Sequence, residues 1–465
     1  MATAVAQPLV RPVESLVEPP AAALPRGPRV PPLAMTVVWA LAPTWVLDRC
    51  ARRYGDTFTL TFGPSGRKLV MLSDPDAVKA VFTAPPGVAP SAAGASPIAP
   101  VMGPSSVITL TGPEHMRQRK LLLPPFHGER MREYEDVIVQ ATRRSMEEWP
   151  LDEPMKLSER TRSITLEVIL RAVFGVEAER MGALREAVGG LLTPGQTPAL
   201  LLNALRRPVE ARPTGSIGRA LDHLDAVTYA EIARRRAQED LSERTDILSL
   251  LMLARDEDGQ AMTDQELRDE LVTLLLAGHE TTATSVAWAI ERLVRHPDKL
   301  ARLVAEIDAC DPPSRGVGDG EYMQAVISET LRVRPVVPMV VRVLQEPLDV
   351  GRRVLPRGTR VVPSIYLTNR NPKVYREPER FMPERFLDKA PETFSWIPFG
   401  GGIRRCIGAS FATLEMKLIL QTVLSELTPS LAPRGGRLTR KGEWNRRRAI
   451  TLVPSAGARV VWSRR

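Results

Sequence analysis

Apolar and polar positions recur with a helical period over most of the chain. The longest such run extends from about Thr263 to Arg295, opening on a capping-box pattern, Thr263-Asp264-Gln265-Glu266, and meeting Pro297 at its end. Its middle, Leu271 to Ala289, is largely apolar, which predicts a helix running through the core. A polar break, Gly278-His279-Glu280-Thr281-Thr282, interrupts that stretch. A second helical run, Ala409 to Leu424, follows a glycine-rich segment. Strand periodicity is confined to shorter pieces. Thr57 to Val70 alternates across Gly63–Gly66 and predicts a β-hairpin, and Val336 to Val341 predicts an extended run. Ala449–Pro454 and Ala458–Trp462 predict two short strands about a turn at Ser455–Gly457. The balance is mainly α with a smaller β-rich region.

Three stretches lack periodicity. Residues 1–32, rich in proline, predict a flexible lead-in, with one domain over 33–465. Pro85–Pro104 holds six prolines, and Thr193–Gly218 is broken only by the apolar Leu200–Leu205, so both are candidate substrate lids. Leu33–Leu47 is apolar but too short to span a bilayer and contains Pro43, so no transmembrane anchor is expected.

Charge and cysteine usage narrow the classes of function. A net charge of +9 favours an acidic partner, but no nucleic-acid-binding signature accompanies it, so no nucleic acid is expected and an acidic protein fits better. The three cysteines, Cys50, Cys310 and Cys406, are far apart and in no metal-binding spacing, which argues against a disulfide framework or a zinc site and for a cytoplasmic protein. His279-Glu280 opens a zinc-protease pattern that Ala283 ends, leaving His279 as a pocket or packing residue.

The most informative segment is Phe399-Gly400-Gly401-Gly402-Ile403-Arg404-Arg405-Cys406-Ile407-Gly408, a cysteine set between a glycine-rich loop and a helix start. Backbone N–H groups, the helix N-terminus and nearby arginines would lower the thiol pKa there, although a lone cysteine also fits a buried structural role. The segment matches Phe-x-x-Gly-x-Arg-x-Cys-x-Gly at every fixed position and so resembles the haem-binding signature of the cytochrome P450 family. Three further matches follow in that family's order. Glu329-Thr330-Leu331-Arg332 resembles its Glu-x-x-Arg motif, Pro383-Glu384-Arg385-Phe386 its Pro-x-Arg-Phe element, and Ala277–Thr281 its oxygen-activating segment.

The resemblance implies a soluble bacterial-type fold around haem b, with Cys406 as the axial iron ligand and Phe399, Gly402, Arg404 and Gly408 shaping its loop. It implies that Glu329, Arg332 and Arg385 form a buried ion network, and that Glu280 and Thr281 deliver protons during oxygen activation, with Gly278 leaving space for the haem face. His115, Arg119, Arg342 and Arg404 would meet the haem propionates, and Arg117, Lys120 and Arg405 would face an electron donor. The implied activity is monooxygenation of a hydrophobic small molecule (lipid, terpenoid, steroid or polyketide-like) by a monomer. No flavin- or nicotinamide-binding fingerprint is present, so electrons would come from a separate ferredoxin or flavodoxin with its NAD(P)H reductase. Substrate would be lined by Ser91–Ile108, Thr193–Gly218, Leu274, Ala277 and Val336–Val341. Alternatives are a peroxide-driven peroxygenase, a non-monooxygenase member of the family, and a non-catalytic haem ligand sensor.

Overall fold

A computed structural model describes residues 18–93, 98–128, 130–175, 178–192, 212–309, 320–433 and 442–465. The chain enters through α1 (Pro32–Leu41) and α2 (Pro43–Tyr54), then the hairpin β1 (Thr57–Phe62) and β2 (Arg67–Leu72), then α3 (Pro75–Thr83). Next come α4 (Gly112–Leu122), α5 (Arg130–Glu147), the short strand β3 (Pro154–Lys156), α6 (Leu157–Phe174), α7 (Ala178–Leu192), α8 (Gly215–Arg236) and α9 (Ile247–Leu253). The long α10 (Asp264–Leu293), α11 (Pro297–Ala309) and α12 (Glu321–Val333) complete the helical middle. Four short strands follow, β4 (Arg342–Val343), β5 (Leu348–Asp349), β6 (Val354–Leu355) and β7 (Arg360–Pro363). The end is α13 (Ala409–Glu426), β8 (Leu427–Leu431), β9 (Asn445–Arg448), β10 (Thr451–Pro454) and β11 (Arg459–Arg464).

α10 is the axis of the fold. Its capping box forms: the Thr263 hydroxyl accepts from Glu266 N at 3.2 Å and the Glu266 carboxylate accepts from Thr263 N at 2.8 Å. Buried positions lie all round it, because α6, α12 and α13 pack on its sides and share one apolar core with it. Gly278 lets α6 approach closely. A Cβ there would lie 3.1 Å from Ile169 Cδ1, so the glycine also eases the packing of α6 on α10.

β1 and β2 pair antiparallel as predicted, and the sheet grows as β1-β2-β7-β4, with β2 parallel to β7 at Val70↔Val361. The two C-terminal strands exist but do not pair with each other. β10 pairs with β9, whereas β11 lies between β3 and β8, where its alternate residues Val460 and Trp462 are fully buried. That separation has a cause: the Ser455–Gly457 turn hands the chain from one sheet to the other, and Gly457 N bonds back to Pro454 O at 3.1 Å.

The lead-in is also more structured than its composition suggests. From residue 18 onward it lies against β1: Thr59 N donates to Arg26 O at 3.3 Å, Thr59 Oγ1 donates to Pro25 O at 2.7 Å, and Leu24 is buried. Proline-rich chain can dock in this way because it has few N–H groups to satisfy. Residues 1–17, Cys310, and 193–211 of the second lid candidate lie outside the described residues.

Candidate active site

Midway along α10 one narrow stripe escapes burial. Leu274, Ala277, Gly278 and Thr281 recur at three- and four-residue intervals and are partly or fully accessible, while Leu275, His279, Thr282 and Val286 are buried. Cys406 is likewise accessible, at the end of the glycine loop and ahead of α13. An apolar helix face and a thiol that stay open inside a well-packed fold mark a place built to hold something else.

The cysteine loop is held from both ends. Cys406 N donates to Phe399 O at 2.9 Å, and the Phe399 ring packs edge-on to Trp396, whose indole N–H donates to Ser328 O at 3.0 Å on α12. Gly402 has φ +64°, and a Cβ there would sit 2.1 Å from the carbonyl oxygen of Phe82 on α3, so only glycine fits. Gly408, by contrast, meets open space. The surrounding protein pushes the Cys406 thiol up, against the lowering effects of the Gly408 N–H, Arg119 and Arg405. The net direction is opposite to the lowering expected from the loop alone, because desolvation of the thiolate outweighs those donors.

Beside the loop, four basic side chains converge from three elements. His115 on α4 is fully buried, its Nδ1 has no hydrogen-bond partner, and burial together with Arg404, Arg119 and Arg342 lowers its pKa to about 3. Burial also lowers Arg342 to about 10 and Arg404 to about 9, and Arg119 moves in the same direction. Arg404 donates to Val107 O and Ile108 O at 3.1 Å and to Leu110 O, which aims it from the cysteine loop across to the chain before α4. None of the groups that shift these four residues is a carboxylate. Buried cations without a counter-charge are costly and fit a site for an anionic group.

The acid and alcohol of α10 face different surroundings. Thr281 Oγ1 donates to Ala277 O at 2.8 Å on the accessible stripe. Glu280 is buried, and neither carboxylate oxygen accepts a hydrogen bond. Burial raises its pKa from 4.5 to about 7, with Arg162 opposing. Arg448 Nη1 lies 3.2 Å from Glu280 Oε1 without hydrogen-bonding geometry, so desolvation prevails over that ion pair. Beyond Glu280 lies a cleft of about 300 Å³, lined among others by Lys156, Arg162, Thr284, Arg446 and Arg447. Sequence reasoning missed the contribution of β9, since Asn445–Arg448 shows neither a motif nor an apolar period. His279 is a packing residue: buried, lowered by burial to about 4, with Nδ1 3.2 Å from Leu275 O.

The first lid candidate is fixed near its start, and the chain just after it is fixed too. Val343 N donates to Pro90 O, Gln345 N to Val88 O and Ala92 N to Val341 O, which fixes Val88–Ala92 along β4. Ser105 N and Val107 N donate to the buried carboxylates of Asp269 and Glu270 on α10, at 2.9 and 2.8 Å. Those acids carried no sequence signal, because their partners lie far away in the chain.

Glu329, Arg332 and Arg385 do come together. Arg332 Nε and Nη2 donate to the two Glu329 oxygens at 2.7 and 2.9 Å, Arg385 Nε donates at 3.2 Å, and Met382 N at 2.7 Å. Two of the three expected docking bases are already neutralised. Arg117 pairs with Asp256 and Glu266 at 2.5 Å each, and Lys120 with Glu257 at 2.6 Å, leaving Arg405 exposed. The acids that pair with them lie on the chain before α10 and in its first turn, a compensation that a look at α4 alone does not reveal.

The pattern described for cytochrome P450 matches residues 25–455 of this chain. The chain belongs to the cytochrome P450 family. Cytochrome P450 135B1 of Mycobacterium tuberculosis is 41% identical over 443 residues, covering 94% of this chain and 91% of that protein. Cytochrome P450 137 of the same species is 40% identical over 454 residues, covering 96% and 91%. Among solved structures, retinoic-acid-bound cyanobacterial CYP120A1 superposes with a TM-score of 0.80 at 24% identity, covering 95% of this chain and 100% of that one, which speaks to the fold. The protein is therefore an oxidoreductase with cytochrome P450 monooxygenase activity and a mainly helical P450 fold. No described helix is long and apolar enough to cross a membrane, and no cluster of three or more His, Cys, Asp or Glu side chains among the described residues could hold a bare metal ion. The donors present are compatible with haem: an accessible thiol at Cys406, and a basic cluster shifted by no carboxylate that would suit propionates.

Proposed function

We propose that this P450 hydroxylates or epoxidises a hydrophobic small molecule, using haem b, dioxygen and electrons from a separate ferredoxin or flavodoxin with its NAD(P)H reductase. Residues 33–465 act as one cytoplasmic domain. Cys406 would ligate the iron, and His115, Arg119, Arg342 and Arg404 would hold the propionates. Bound there, haem supplies oxygen activation, which a thiolate ligand favours.

The chain's own contribution is to bring in protons and exclude water elsewhere. Glu280, poised near neutrality, takes a proton from the cleft on its outer side and passes it along α10 to Thr281 on the accessible stripe. A carboxyl with its pKa close to ambient pH exchanges protons in both directions without a large driving force. Leu274 and Ala277 give substrate an apolar face free of competing donors. The single observation that carries this reading is a buried Glu280 whose carboxylate accepts no hydrogen bond, lining the cleft on one side and next in the chain to Thr281 of the open stripe.

The test has two parts. Reduced, haem-loaded protein under carbon monoxide should show the red-shifted Soret band of thiolate ligation, and an apolar ligand screen with a donor system should yield oxygenated product. Absence of the shifted band removes Cys406 as ligand. Product with hydrogen peroxide but none with the donor system replaces the monooxygenase reading with a peroxygenase.

A further inference from the structure

A surface helix is ordinarily apolar on one face only, and α1 is apolar on two. Its inner face, Met35 and Trp39, is buried with Phe58 and Leu60 of β1. Its ten residues include no charged side chain. On the outer face Leu33, Val37 and Leu41, at i, i+4 and i+8, are 56%, 57% and 77% exposed, and Trp45 at the start of α2 is 55% exposed. The row from Leu33 to Leu41 is about 12 Å long at a helical rise of about 1.5 Å per residue. Val30, just before α1, is exposed as well, while the other exposed large apolar side chains of the described residues are scattered from Tyr229 to Ile450.

The charge around this row has one sign. Between Pro19 and Tyr54 the exposed charges are Arg26, Arg29, Arg49, Arg52 and Arg53. The one carboxylate in that span, Asp48, is partly buried and accepts from the Tyr366 hydroxyl at 3.0 Å. Arg49 lies over the Trp45 ring at 5.7 Å, which places a cation beside the most interface-seeking side chain of the group.

We propose that this face docks on an anionic lipid bilayer, with Leu33, Val37, Leu41 and Trp45 entering the boundary between headgroups and acyl chains and the arginines meeting lipid phosphates. A stable protein interface engages roughly 20–30 residues a side, far more than one short helical row offers. A lipid surface needs only a shallow apolar face with flanking cations. Neither element suffices alone, because shallow insertion is weak and surface charge is screened by salt. The binding is peripheral, since no described helix can cross a membrane.

Flotation of the full-length, haem-loaded protein with vesicles tests this. Vesicles of phosphatidylcholine containing about one-third phosphatidylglycerol should carry the protein, and phosphatidylcholine alone should not. The combined Leu33→Ser, Val37→Ser and Leu41→Ser variant should lose flotation while keeping its circular-dichroism melting curve. Arg49→Gln, Arg52→Gln and Arg53→Gln should each weaken partitioning by up to about fivefold, and added salt should act in the same direction. Failure of the wild type to float, or flotation of the triple serine variant at wild-type level, overturns the proposal. So does a dimer in analytical ultracentrifugation that the serine variant breaks without any vesicle binding, which would make a second copy the occupant.

Discussion

Glu280→Gln removes the charge of a buried carboxyl and keeps its shape, and its effect on stability follows from the geometry. The folded carboxyl titrates near 7 against 4.5 for the free group, because burial disfavours the anion. For an acid whose folded pKa is raised, the folded state binds its proton more tightly than the unfolded chain does. Wild-type stability therefore falls as pH rises from about 4.5 through about 7, then levels off. A displacement of that size corresponds to about 3 kcal/mol at the alkaline plateau, most of it appearing between pH 5 and pH 8. Glutamine does not titrate, so the variant gains on the wild type by that amount across the interval. Urea unfolding of both haem-loaded proteins, followed by tryptophan fluorescence at several pH values, reads the difference directly. At pH 8 the variant should be the more stable, while product formation with the donor system drops by about 10²–10⁴, the usual range for a lost proton-transfer group. A difference that stays flat with pH, or slopes the other way, would mean that Arg448 holds Glu280 ionised throughout, and the relay reading would fail.

Other substitutions probe the remaining parts of the site. Cys406→His should retain part of the haem, lose the shifted carbon monoxide band and form no oxygenated product; full turnover would remove the thiolate from the mechanism. Arg332→Leu leaves the Glu329 carboxylate buried with only Arg385 and Met382 N as donors, and should cost about 3–5 kcal/mol, measured by thermal or urea unfolding. Gly402→Ala forces a Cβ against the Phe82 carbonyl at positive φ, so haem retention after gel filtration should fall even where the fold survives.

The parts of this protein legible from sequence were those written in local spacing. The α10 capping box, the β1–β2 hairpin and the Phe399–Gly408 loop each fit within a short window, so their residues specify one another directly. Glu329 and Arg332 could be matched because three residues' separation on a helix makes them neighbours. What stayed hidden depends on partners distant in the chain. Arg448 meets Glu280, Asp256 and Glu266 cancel Arg117, and Ser105 rests on Asp269, none of which periodicity can announce. The direction of the Cys406 shift was missed for a related reason: the local loop favours the anion, but the desolvation that opposes it comes from protein packed around the loop, although the thiol itself stays accessible. The C-terminal strands and the turn between them were found but not their partners, since a turn between two strands does not say which sheet each will enter.

The parallel pairing of β2 with β7 has a consequence for how the protein comes to be. Val70 finds Val361 only after most of the chain has been made, and the Phe82 carbonyl receives Gly402 later still. An emerging chain must therefore keep the free edge of the β1–β2 hairpin waiting through the synthesis of the entire helical middle, a long interval of exposure for an unpaired strand. The contact of the cysteine loop with α3 can form only once residue 402 has been made, and β11 reaches β3 later still. The order of synthesis thus sets the earliest moment at which the cysteine loop can close, whatever molecule the finished enzyme oxidises.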